Sequence, residues 1–333
     1  DKSEGAESPE MRCCLLLLLS ASFVHPLGIP YNNVRGRKAL NIASAAYSSQ
    51  PQRCLQVTYP VSGYRVLRHE EVSCDKEGNK CAGFVAVSDI DQQVIVGFRG
   101  TTAKAQLVLE AKEGLEPEID WYGVGQVNRY FFDAVQPLWP MVAEVLADDS
   151  RRDYRVVFSG HSLGGAIAAL MAMKSHLEGM RPGELLSLIT FGEPRVGNRV
   201  FAHNLQAAIA DSWRVVHNGD PIPHLPPCKD LGRGCDPFDY RRAFHHGREI
   251  WYPNDMLGEA SFVACIDNFE DPLCSNSVAD HLDAHDHARY FGVNVSHHGH
   301  IFCQERLGQP DQSLATPLFS ISPLLFLVST LFF

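Results

Sequence analysis

The sequence predicts an α/β fold, a mostly parallel central sheet with helices on both faces, held as a single disulfide-stapled domain. Three observations carry that prediction. From Tyr154 to His217 short β-rich runs alternate with helical stretches, the pattern of strands joined by crossover helices. Gly160-His161-Ser162-Leu163-Gly164 lies where one such strand passes into an Ala-rich helix. An even set of cysteines follows a segment that reads as a secretory leader.

Composition bounds the rest. The 333 residues are 45% hydrophobic, enough apolar surface to offset the entropy of folding, so a disordered chain is excluded. Lys and Arg number 29 against 39 Asp and Glu, for a net charge of −10, which argues against a partner held by its phosphates, such as nucleic acid.

Taken in order, residues 1–10 carry Asp1, Glu4, Glu7 and Glu10 ahead of the first methionine and read as a non-native leader. Residues 11–22 hold Arg12, the leucine run Leu15 to Leu19 and the small residues Ser20-Ala21-Ser22, which is the make-up of a signal peptide. That run is shorter than the ~20 apolar residues a spanning helix needs. The expected location is therefore extracellular. Residues 23–312 show neither repeat nor linker and are expected to form one domain. Residues 313–333 are apolar, interrupted by Pro317 and Pro323. They read either as the removable tail of a lipid-anchor signal, with Ser313 as attachment point, or as an artefact.

Cys13 and Cys14 belong to the leader, which leaves Cys54, Cys74, Cys81, Cys228, Cys235, Cys265, Cys274 and Cys303. In a secreted chain these suggest disulfides, and short spacings suggest Cys74–Cys81, Cys228–Cys235 and Cys265–Cys274. Cys54 and Cys303 would then close a long loop. The zinc alternative lacks a Cys-x-x-Cys beyond the leader.

Phe84–Val87 and Val94–Phe98 flank Asp89-Ile90-Asp91 and read as a hairpin. Tyr154–Ser159, Leu186–Phe191 and Trp213–His217 read as strands, Gly164–Met173 and Val200–Ala210 as helices. Between the first of these strands and the first helix stands Ser162. Glycines two before and two after a serine permit a turn so sharp that the hydroxyl projects above the sheet edge, over a helix N-terminus. That is the geometry of an activated serine nucleophile.

Five blocks in order resemble the class 3, fungal-type triacylglycerol lipases, in a form similar to secreted animal members. They are Val96-Gly97-Phe98-Arg99-Gly100-Thr101, Gly160 to Gly165, Phe191-Gly192-Glu193-Pro194-Arg195-Val196-Gly197-Asn198, Asp220-Pro221-Ile222-Pro223, and Asp286-His287 with Tyr290-Phe291-Gly292. The resemblance spans about Cys54 to Cys303 and implies the α/β-hydrolase fold and hydrolysis of lipid esters. The Cys265–Cys274 step and an end-to-end Cys54–Cys303 pair also look like the family's disulfides.

A serine needs a base, and the base an acid; in α/β-hydrolases the chain order is Ser, Asp or Glu, then His. Asp220 follows a strand and precedes a proline, where sheet-edge groups gather. Of the crowded His281, His285 and His287, the residues alone would allow any as base; the resemblance, through Tyr290-Phe291-Gly292, selects His287. His224 is read as loop or site lining. The oxyanion hole is expected from the amides of Leu163 and Thr101.

The expected chemistry is therefore acyl-ester cleavage by Ser162, His287 and Asp220 through an acyl-enzyme, with no cofactor. Alternatives are a phospholipase or an esterase for small soluble esters, and, in another class, an inactive lipid-binding protein. A zinc site on His281 and His285, four apart on a helix, with His287 and the nearby His297, His298 and His300, is disfavoured, since no His-Glu-x-x-His occurs. The expected partner is a lipid ester at a lipid–water interface. The stretch 102–110, where fungal members carry a lid helix, lacks a tryptophan until Trp121, and Asn294-Val295-Ser296 is a glycosylation sequon.

Overall fold

The computed structural model describes residues 30–74, 78–100, 118–228, 235–236, 238–265 and 269–309. The leader, Thr101, the 102–110 segment and the apolar tail lie outside them.

Eight strands form the main sheet: β1 (Arg65–Ser73), β2 (Lys80–Ser88), β3 (Gln93–Phe98), β4 (Arg155–His161), β5 (Leu186–Phe191), β6 (Ser212–His217), β7 (Arg248–Tyr252) and β8 (Val263–Cys265). They stand side by side in chain order. Neighbours from β3 to β7 pair in parallel, while β1–β2, β2–β3 and β7–β8 are antiparallel. The sheet is thus mostly parallel, with a hairpin at one end where Asp89-Ile90-Asp91 makes the turn. Its outer edges are β1, which exposes Arg65, His69, Glu70 and Glu71, and the three-residue β8.

Alternating side chains divide the core between two faces. Val94, Val96, Phe98, Val156 and Phe158 meet α3 (Arg129–Leu146) and α4 (Leu163–Leu177). Phe84, Ala86, Ile95, Ile189 and Phe191 meet α1 (Asn33–Ala45) and its neighbour α2 (Pro51–Thr58). Three further helices follow: α5 (Arg199–Ala208), α6 (Ala284–Ala288) and α7 (Val295–His300). Among the described residues no helix is long and apolar enough to cross a membrane.

The two longest helices without a sequence expectation are α3 and α1. Helix α3 contains Pro137 and Pro140, each of which removes an internal hydrogen bond. It forms nonetheless because Phe131, Ala134, Val135, Leu138, Val142 and Val145 make a buried stripe at helical spacing, and because Asn128 caps its start by accepting from Tyr130 N. Helix α1 is polar overall yet buries Ala39, Leu40, Ile42 and Ala43, small enough for close packing on the sheet.

The structure pairs Cys54 with Cys303, Cys74 with Cys81, Cys228 with Cys235 and Cys265 with Cys274. The first joins α2 to the end of the described chain, 249 residues on.

Candidate active site

Strand β4 ends at His161, and Ser162 turns the chain with φ 60° and ψ −131° before α4 begins at Leu163. A positive φ is unfavourable for serine and persists only where its surroundings enforce it. The glycines make the turn feasible. A Cβ on Gly160 would lie 2.0 Å from Gly164 O, and one on Gly164 would lie 2.2 Å from Phe98 O. Ser162 is 1% exposed, and its Oγ has no hydrogen-bond partner among the described residues. Leu163, as the first residue of α4, holds one of the amides that no intrahelical carbonyl can reach. An oxyanion beside it would also be favoured by the helix dipole.

Asp220 stands just past the end of β6 and is fully buried. His287 lies in α6, whose start Asp283 caps by accepting from His285 N. His287 Nδ1 is 2.9 Å from both carboxylate oxygens of Asp220. A carboxylate accepts, so Nδ1 carries the proton and Nε2 is left to act as base. Tyr290 Oη donates to Asp220 Oδ2 at 2.6 Å, and Ile222 N donates to Oδ1 at 2.9 Å. Burial by itself would raise the Asp220 carboxyl. The facing His287, with hydrogen bonds from His287, Tyr290 and Ile222 N, outweighs it and holds the group below its ordinary value.

That balance gives a pH-dependent expectation for Tyr290→Phe. Losing a donor to a buried charge should cost about 1.5–3 kcal/mol at pH 7. Because the depressed Asp220 favours the folded state only while ionised, this deficit should shrink as pH falls below about 4, the ordinary carboxylate range. Urea unfolding of both proteins at neutral and acid pH checks it. A deficit independent of pH would show that the bond does not act through the carboxylate charge.

Asp286, next to His287, ties the two segments together. Its Oδ2 accepts from Asn218 Nδ2 at 3.0 Å and Gly219 N at 3.1 Å, and Asp283 N donates to Gly219 O at 2.9 Å. Below the acid loop lies a buried ionic network. Arg195 forms a two-pronged bond with Glu270, at 2.8 and 2.9 Å, and donates from its backbone N to Leu225 O and from Nη1 to Pro226 O. Glu270 also accepts from His245 N, while His246 Nε2 bonds Glu193 Oε1 at 2.6 Å. Burial would raise the Glu270 carboxyl, but the charge and hydrogen bonds of Arg195, with Arg214 and His245 N, together outweigh it and keep it low. The loop carrying Asp220 is thereby held from beneath.

The histidine segment departs from its expected form. Helix α6 starts at Ala284, so His281 precedes it and does not share a helical face with His285. Among the described residues no group of three His, Cys, Asp or Glu side chains could hold a metal ion. His224 ends a 3-10 turn, with Nε2 buried and without a partner among the described residues. Asn294 caps α7, its Oδ1 accepting from His297 N and Ser296 Oγ. Trp121 is buried in the core beside α3. Thr101 lies outside the described residues.

Asp220 and His287 are hydrogen-bonded, and His161, adjacent to Ser162 in the chain, links His287 to the serine turn. The ring of His161, adjacent to Ser162, stacks on that of His287 at 4.6 Å, and its Nε2 lies 2.8 Å from His287 O. A buried hydroxyl on a helix N-terminus, served by an imidazole that a carboxylate braces, is a constellation able to perform nucleophilic acyl transfer. Sequence reasoning did not single out Glu270, His245 or His246. Only Glu193 and Arg195, inside a quoted block, pointed toward the ionic network.

Comparison with known proteins places this geometry among relatives. The sequence model of the family described as Lipase (class 3) matches residues 95–230. A Caenorhabditis elegans lipase is 39% identical over 308 residues, covering 86% of this chain and 87% of that protein. A Rhizopus niveus lipase is 30% identical over 217 residues, which are 64% of this chain and 51% of that one. The crystal structure of a lipase from Rhizopus microsporus var. chinensis superposes with a TM-score of 0.65 at 26% identity, covering 82% of this chain and 95% of that one.

Proposed function

The chain belongs to the class 3 lipase family and is an ester-hydrolysing lipase, and from that premise we propose that Ser162, His287 and Asp220 are its catalytic triad. The observation that carries this reading is the Asp220–His287 pair, 2.9 Å apart, with His161 linking His287 to the serine turn.

In the proposed cycle Ser162 Oγ attacks the ester carbonyl carbon as His287 Nε2 takes its proton. The carbonyl π electrons move to oxygen, and the oxyanion is met by the amide of Leu163 and, from the earlier loop, that of Thr101. The imidazolium, braced by Asp220, then protonates the leaving alcohol as the C–O bond breaks. Water, activated by the same imidazole, attacks the acyl-enzyme and releases the carboxylic acid and Ser162.

The substrate reading is a lipid ester presented at a lipid–water interface. Secretion is supported by the leader pattern of residues 11–22 and by four disulfides in one domain spanning 23–312. Asn294 is read as a glycan acceptor, and the 313–333 tail as either an anchor signal or an artefact.

A fluorophosphonate probe tests the triad. One label per chain, mapped to Ser162, is expected; labelling elsewhere, or none, removes the assignment. Rate against triglyceride concentration should rise abruptly beyond the solubility limit. A smooth saturation curve on soluble esters would favour the esterase reading, and preference for phosphatidylcholine the phospholipase one.

A further inference from the structure

Tyr47, two residues beyond α1, is buried, and its hydroxyl lies between two parts of the site that are far apart in the chain. Gly100 N donates to Tyr47 Oη at 3.1 Å, and Tyr47 Oη is 2.9 Å from His161 Nδ1. His161 Nε2 is 2.8 Å from His287 O. Chemistry sets the direction of every link. A carbonyl can only accept, so His161 Nε2 carries a proton. A neutral imidazole then has a lone pair on Nδ1, which takes the Tyr47 hydroxyl proton. That leaves the Tyr47 oxygen to accept from Gly100 N–H. Burial, and after it the charge of the neighbouring His287, pushes His161 down to about 3, so the ring is neutral wherever His287 can work as a base.

The place held is close to the chemistry. A Cβ on Gly100 would sit 2.4 Å from Tyr47 Oη, 2.5 Å from His161 O and 3.0 Å from Ser162 Cβ. The Gly100 peptide is therefore a wall of the site beside the nucleophile, and glycine is required there by this approach. We propose that Tyr47 is a positioning residue whose hydroxyl, acting with His161, sets the end of β3, the serine turn and the backbone of His287 in one register. It touches no reacting atom; its effect runs through Gly100 and His161. Small misplacements of such groups cost rate steeply without weakening substrate binding.

The inference rests on the reading of Ser162 as nucleophile, and Tyr47→Phe tests it separately, since it removes one oxygen and keeps the ring. With a soluble p-nitrophenyl ester, kcat should fall about 10- to 100-fold, and KM should stay within about twofold. Fluorophosphonate labelling of Ser162 should slow by a similar factor but still finish at one label per chain. A merely structural role would instead lower the final label count and the melting temperature together. His161→Asn should reproduce the slow labelling, and the double variant should be no slower than the slower single one, because both break one chain of bonds. Labelling of Tyr47→Phe at the wild-type rate, or multiplied losses in the double variant, would overturn the proposal and leave the triad reading intact. Absence of label on wild-type Ser162 would overturn both.

Discussion

Ser162→Ala should lower kcat for any ester by about 10⁵- to 10⁶-fold while leaving the protein as stable as before or more so. The rate loss follows from the proposed acyl-enzyme, which forms on Ser162 Oγ. The stability effect follows from the surroundings of Oγ, which is buried and has no hydrogen-bond partner among the described residues. A buried polar atom without a partner costs about 1–3 kcal/mol, and alanine removes it. The φ of 60° is equally awkward for both residues, so it does not offset that gain. Steady-state kinetics with urea unfolding of the same preparation checks both halves. A variant that loses rate and stability together would mean that the serine is chiefly structural.

The second large effect is expected from Cys54→Ser with Cys303→Ser. These cysteines lie 249 residues apart, so their bond closes nearly the whole described chain into one loop. In the chain-entropy model a loop of that length stabilises the folded state by about 5 kcal/mol through the unfolded ensemble. The paired Ser variant should melt about 10 °C or more below the parent, whereas opening Cys74–Cys81, only 7 residues apart, should shift it about half as much. Equal shifts for the two would show that local geometry, not loop length, sets the contribution.

Legibility in the sequence followed distance along the chain. The serine turn was readable because strand, turn and helix are contiguous and its two glycines have one steric reason. Asp220 was marked by a strand end and a following proline, and the resemblance raised it above an ordinary turn aspartate. His287 was not separable from its neighbours by residues alone, since α6 has five residues and too short a period to choose a face. The resemblance supplied that choice. Helix α3 went unread because two prolines contradict local preference, and tertiary burial overrides them. Tyr47 meets partners 53 and 114 residues away, and Arg195 meets Glu270 across 75. No local period or spacing encodes such meetings; only the packed sheet brings them about.

The two edges of the main sheet bear on how the molecule tolerates crowding. An open sheet ends in unpaired amides and carbonyls, a template on which another copy could add its own strand. Here the long edge, β1, carries both cations and anions at Arg65, Arg68, Glu70 and Glu71, while the opposite edge, β8, is three residues long and tied down by Cys265–Cys274. Neither offers a flat, uncharged ladder. On the proposed lipid surface the protein would reach densities far above those in solution, and edges of this kind disfavour strand-to-strand polymerisation.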